Sequence, residues 1–133
     1  MAIKGGCLCG KVRYEVNGPL FDADHCHCSL CRRQHGAAFA TYAVFNPGDF
    51  RWISGEDHVK VYETSSGAGW CFCRECGSSL AEADKGQIVS VTLGTVEGDP
   101  GIKPESHIFV GSKAQWHEIT DDLPQFDERP PDS

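Results

Sequence analysis

The chain has 133 residues, 40% of them apolar, and a formal net charge of −7. That length suits one domain with one core, and an acidic chain without a Lys/Arg-rich window argues against nucleic acid or an anionic membrane surface as a partner. The opening MAIKGGCLCG has no apolar h-region, and no apolar run approaches a membrane span; the expectation is no signal peptide, no transmembrane helix and a reducing, cytoplasmic compartment.

In chain order, GGCLCG brings Cys7-x-Cys9, whose side chains share one face if the segment is extended. VRYEV within KVRYEV (11–16), and VKVYE further on, alternate apolar and polar residues as half-buried strands do. HCHCSLCRRQHG (25–36) follows, with Cys26 and Cys28 on one strand face and His25 and His27 on the other. Those two histidines therefore read as a hydrogen-bonded or solvated face and not as ligands of the same ion. SLCRRQ (29–34) is the one plausible helix, with Ser29 as its N-cap. AAFATYAVF (37–45), HVKVYET (58–64), IVSVTLG (88–94) and SHIFV (106–110) read as strands, and NPGD (46–49), SSGAG (65–69), DKG (84–86) and EGDPG (97–101) as turns. The tail from Asp127, DERPPDS, is polar and Pro-rich and is expected to fray. The pattern predicts a mainly β fold over 1–126, with no internal linker, and a polar tail over 127–133.

Eight cysteines could form disulfides, but they cluster as Cys7-x-Cys9, Cys26-x-Cys28-x-x-Cys31 and Cys71-x-Cys73-x-x-Cys76, a spacing typical of metal ligands. Two thiolates cannot close a tetrahedron. Cys7 and Cys9 need a second pair, and Cys73-Arg-Glu-Cys76-Gly77 supplies one, with Gly77 at a position that tolerates positive φ. Together they make a closed, structural zinc site that staples the first strand to the middle of the chain. A redox pair at Cys73 and Cys76 is the alternative, but no βαβ pattern surrounds it.

Cys26, Cys28 and Cys31 offer three thiolates to a second ion. His35, one helical turn after Cys31, and Cys71, on the strand face of Cys73, are candidates for a fourth ligand. If either binds, the site is closed and structural; if neither does, it keeps an open position, as catalytic zinc does. Three thiolates make the ion a weak Lewis acid, better suited to a soft ligand such as a substrate thiol than to making hydroxide. Arg32 and Arg33 follow directly, and Arg32 is the candidate for offsetting the charge of an anionic thiol.

GGCLCGKVRYEV, HCHCSLCRRQHGAAFA, FCRECGSSL and HIFVGSKAQWHEITDDLPQF resemble, in that order, the glutathione-dependent formaldehyde-activating enzyme family, which includes the zinc-binding domain of centromere protein V. The match runs from about Ile3 to Phe126. It implies a β-tent of several small antiparallel sheets with one short helix and two zinc ions. The structural zinc would fall on Cys7, Cys9, Cys73 and Cys76, and the catalytic zinc on Cys26, Cys28 and Cys31. It also implies carbon–sulfur lyase chemistry on a thiol–aldehyde adduct such as S-hydroxymethylglutathione, with glutathione or a similar thiol as the small-molecule partner. His35 and His27 are candidates for the proton shuttle. Trp116 and Phe126 are read as packing residues. Two other functions stand beside the enzyme: a non-catalytic two-zinc binding module or thiol carrier, and a redox sensor that releases metal when its thiolates oxidise.

Overall fold

The computed structural model describes residues 2–131. Ten strands and one α-helix follow in the order β1 (Ile3–Gly6), β2 (Arg13–Val16), β3 (Leu20–Cys26), α1 (Ser29–His35), β4 (Ala40–Phe45), β5 (Phe50–Ser54), β6 (Val59–Glu63), β7 (Ala68–Cys73), β8 (Ser79–Asp84), β9 (Gln87–Thr92) and β10 (Ser106–Ile108). The fold is mainly β, as the punctuation of the sequence predicts. The strands form two open sheets, a small one ordered β1-β2-β5 and a large one ordered β10-β3-β4-β9-β8-β7-β6. All pairs are antiparallel except β10 with β3, which run parallel at the edge of the large sheet.

Val12, Tyr14, Val16, Phe45, Leu80 and Val91 are buried together between the sheets. Tyr14 fixes the small sheet there by stacking on Phe50 and by a 2.7 Å hydrogen bond from its hydroxyl to Thr95. The buried Glu15 beside it accepts from Arg51 at 2.8 Å and from Asn17 at 3.1 Å, so the carboxylate keeps its charge. A second core of Cys26, Cys31, Ala40, Tyr42, Trp70 and Ile108 lies beneath α1.

Three local expectations are revised. Helix α1 begins at Ser29 and not after it: the N-cap is Cys28, whose sulfur accepts from the Cys31 backbone N–H at 3.2 Å, while Gly36 ends the helix at φ 62°. VKVYE does form β6, the outer strand of the large sheet, but the adjacent Val61 and Tyr62, on opposite faces, are both exposed and no half-buried stripe develops. The start of the tail is held and not frayed. Phe109 and Gly111 donate backbone N–H groups to the carbonyls of Glu128 and Asp127, and Arg129 lies over the Phe109 ring. The last two residues, Asp132 and Ser133, lie outside the described residues.

Candidate metal centres

The first group is built at two chain reversals. Cys7 and Cys9 are not on an extended strand. Strand β1 stops at Gly6, and residues 7–10 form a turn in which the Gly10 N–H donates to the Cys7 carbonyl at 3.2 Å. The turn still gathers the thiols, with the Cys7 and Cys9 sulfurs 3.5 Å apart. From the other side, β7 ends on Cys73 and turns back through Cys76. The Gly77 N–H donates to the Cys73 carbonyl at 2.7 Å with Gly77 at φ 79°, the positive φ expected of it. Cys9 and Cys73 stand 3.8 Å apart, and the four sulfurs of Cys7, Cys9, Cys73 and Cys76 all lie within 4.8 Å of one another.

An ion at about 2.3 Å from each of four tetrahedral sulfurs sets the sulfurs about 3.8 Å apart. The group fits such an ion, and all eight cysteines are free of disulfides. Ser78 completes the turn. Its carbonyl accepts from the Cys73 N–H at 3.0 Å, and its hydroxyl accepts from the Leu8 N–H at 2.9 Å and sits 3.3 Å from the Cys76 sulfur. Hydrogen bonds from Ser78 push the Cys76 thiol down to about 5.

The second group sits where β3 runs into α1. Cys26 ends the strand, Cys28 caps the helix and Cys31 occupies its first turn; their sulfurs also lie within 4.8 Å of one another. Hydrogen bonds from the Cys26 and Cys31 thiols, with the Cys31 backbone N–H, push the Cys28 thiol far below its ordinary range. Below the group, the Tyr42 hydroxyl donates to the Cys31 sulfur at 3.5 Å and accepts from the Trp70 indole N–H at 3.1 Å. An indole nitrogen only donates, so the Tyr42 proton is free to point at the sulfur.

Neither candidate fourth ligand joins this group. Cys71 is fully buried in the large core between Val61 and Ala81 of the flanking strands, and burial pushes its thiol up to about 11. His35 turns its Nδ1 to the Cys31 carbonyl at 3.2 Å. A carbonyl only accepts, so Nδ1 carries the proton and Nε2 keeps a lone pair, which is buried and without a partner.

His25 and His27 lie outside the gathered sulfurs and are hydrogen-bonded, His25 half-buried and His27 fully buried. His25 bonds Thr41 at 2.8 Å, and the fully buried His27 bonds His107 at 2.8 Å, with His107 in turn against Asp121. Burial and the neighbouring histidines push the His27 ring down to about 4, so it is neutral. The Arg32 Nε–H is shared between the carbonyls of His27 and Ser112 at 3.3 and 3.2 Å, which makes that arm a clip between α1 and the chain after β10. Phe126 packs against the second core as expected, whereas Trp116 is 75% exposed. Tyr42, Trp70, Ser78, His107 and Asp121 were not legible as site residues. Only HIFV and the DDLPQF run signalled that the last two belong to a matching segment.

The family model for the glutathione-dependent formaldehyde-activating enzyme matches residues 2–112. The chain belongs to this family. Its relatives include a Halomonas elongata protein described as a "putative glutathione-dependent formaldehyde-activating enzyme". That protein is 29% identical over 129 residues, which cover 90% of this chain and 82% of the relative. An uncharacterized lyase of Schizosaccharomyces pombe is 28% identical over 79 residues, 58% of this chain and 54% of its own length. A crystal structure of a Rhodobacter sphaeroides protein is similar with a TM-score of 0.58 and 33% identity, covering 72% of this chain and 89% of that one. As a member of the family the chain is a lyase-like protein with two cysteine groups that could hold metal ions. No helix among the described residues is long and apolar enough to cross a membrane.

Proposed function

We propose that the chain is a cytoplasmic, zinc-dependent carbon–sulfur lyase-like enzyme that interconverts a thiol and an aldehyde with their S-hydroxyalkyl adduct, glutathione and formaldehyde being the leading pair. The observation that carries this reading is the second group: three cysteine sulfurs gathered within 4.8 Å, with His35 and Cys71 both outside the gathering. Cys7, Cys9, Cys73 and Cys76 would hold a structural zinc, closed by four protein ligands. Cys26, Cys28 and Cys31 would hold a second zinc with one position left for a substrate. When bound there, zinc supplies a soft site for the substrate sulfur.

In the synthetic direction the thiol sulfur attacks the aldehyde carbon, the C–S bond forms and the carbonyl electron pair moves to oxygen. The thiol proton ends on that oxygen as a hydroxyl. Reversal breaks the C–S bond and returns the proton. The protein's own contribution is to hold and orient. Cys28 receives the Cys31 backbone N–H, and Cys31 receives the Tyr42 hydroxyl, so two of the three thiolates have part of their charge taken up by neutral donors. His35 Nε2, a buried lone pair on the last residue of α1 with no hydrogen-bond partner among the described residues, is the candidate acceptor for the transferred proton. Such addition proceeds readily without help, so positioning supplies most of the gain.

Exchange NMR on a glutathione–formaldehyde mixture tests this. Zinc-loaded protein should accelerate adduct exchange, and protein stripped by a chelator and then reloaded should lose and regain the effect. Equal exchange with loaded and stripped protein would leave a binding module as the better reading.

A further inference from the structure

The segment after β10 carries a chain of buried polar contacts that the proposed reaction does not use. Both oxygens of the Asp121 carboxylate face His107 Nε2, at 3.1 and 3.0 Å. His107 is 2% exposed and its Nδ1 meets His27 Nε2 at 2.8 Å. A carboxylate accepts, so His107 Nε2 donates; with a neutral ring its Nδ1 then accepts, and His27 Nε2 must carry the other proton. His27 Nδ1 is left as a bare acceptor, and it is buried without a partner.

His27 is the residue between Cys26 and Cys28, and its backbone is tied as firmly as its ring. Its N–H donates to the Ile108 carbonyl at 2.9 Å, and its carbonyl accepts from Arg32 Nε at 3.3 Å. The strand has ended at Cys26, and the helix starts at Ser29. No sheet pairing holds the two residues between, so the conformation that brings Cys28 back toward Cys26 depends on these ties. The Asp121 end of the chain is half exposed and lies beyond the 2–112 span that the family model covers.

We propose that Asp121 is a positioning residue for the three-cysteine group: through His107 it fixes His27 as the Nε2–H tautomer and holds the Cys26–Cys28 turn in the shape that gathers the sulfurs. This rests on the reading that the group takes a metal ion. It makes the second centre, and not the first, dependent on the C-terminal segment.

The test compares the full-length, zinc-loaded wild type with Asp121→Ala and Asp121→Asn, using long-range proton–nitrogen NMR of the imidazoles and chelator competition for each bound zinc. In the wild type His27 and His107 should both show the Nε2–H pattern. Asp121→Ala should average the His107 tautomers and weaken the second zinc on the order of 10-fold, leaving the first unchanged. Asp121→Asn, whose carbonyl can accept the same N–H, should restore most of both. Unchanged tautomers and unchanged second-zinc affinity in Asp121→Ala would overturn the proposal, as would equal weakening of both zincs. A wild type that binds a single zinc would reject the metal reading of the second group. The positioning role is then decided by the alkylation rate of Cys28, which should differ between wild type and Asp121→Ala; equal rates overturn it.

Discussion

The sulfurs of Cys9 and Cys73 lie 3.8 Å apart although 64 positions separate them in the chain. Cys9 sits in the turn after β1, at the small sheet, and Cys73 ends β7 in the large one. An ion held there would clip the two sheets together where no backbone ladder joins them. Replacing Cys73, which is fully buried, with Ser should therefore abolish cooperative unfolding and not merely lower the midpoint, because structural zinc contributes apparent binding energies on the order of 10 kcal/mol. Circular dichroism melts with zinc counting would show it; a variant with one fewer zinc and an unshifted melt would refute the structural role.

Cys71 and His35 should be dispensable for metal. Cys71→Ala and His35→Asn are expected to keep two zincs per chain by elemental analysis. The two differ otherwise. Cys71→Ala leaves a small cavity in the large core and should cost roughly 1–2 kcal/mol in urea. His35→Asn should leave stability nearly unchanged while slowing adduct exchange by about 10- to 100-fold, if its free Nε2 takes the substrate proton. Loss of a zinc in either variant would mean that the residue closes a site.

Tyr42→Phe removes the hydroxyl that stands between Trp70 and Cys31. It leaves the indole N–H buried without an acceptor, which should cost about 1–3 kcal/mol. It also strips a hydrogen bond from one thiolate, so the sulfur-to-metal charge-transfer bands of the cobalt-substituted second centre should shift while those of the first do not. Unmoved bands would contradict the contact.

The contribution of two buried carboxyls to stability should fall as pH rises from about 4.5 to 7. Glu82 of β8 is pushed up to about 7 by burial, against the lowering effect of the Ser90 hydroxyl that donates to it, and burial likewise pushes Asp24 up to about 6. A carboxyl whose folded pKa lies above its unfolded value binds more protons when folded, so its contribution is most favourable in acid and erodes across that window. Glu82→Gln keeps an oxygen for Ser90 and should remove a decline on the order of 2 kcal/mol, read from urea midpoints at pH 5 and pH 8. Parallel curves for variant and wild type would refute it.

The legible parts of the fold were those with local causes. VRYEV alternates and is a strand; DKG turns because Lys85 and Gly86 both take positive φ; CxxCG needs Gly77. Strands β3, β7 and β8 were harder. LFDADHC does not alternate, because a bulge between Phe21 and Asp24 shifts its register. AGWCFC is buried along nearly its whole length, so no pattern of period two survives.

The cysteine groups were legible because metal chemistry demands short spacings and few donor types. Their supports were not. Tyr42 and Trp70 look like any core aromatics, and Trp70 reaches the Tyr42 hydroxyl beside Cys31 only after four strands, β4, β9, β8 and β7, have paired. Asp121 looks like a surface carboxylate and reaches His27 only through His107. Cys7-x-Cys9 reads the same whether the backbone is extended or turned, so the two pairs are gathered within 4.8 Å although the local conformation differs from the expected strand.

Sulfur and zinc K-edge absorption on the wild type and Cys28→Ser would show whether the second centre is open. The wild type should hold two zincs, one with four sulfurs and one with three sulfurs and a lighter, exchangeable ligand. Cys28→Ser should keep the fold and the first zinc, lose the second and lose adduct exchange. Four protein ligands on the second zinc, or an unfolded Cys28→Ser variant, would contradict it.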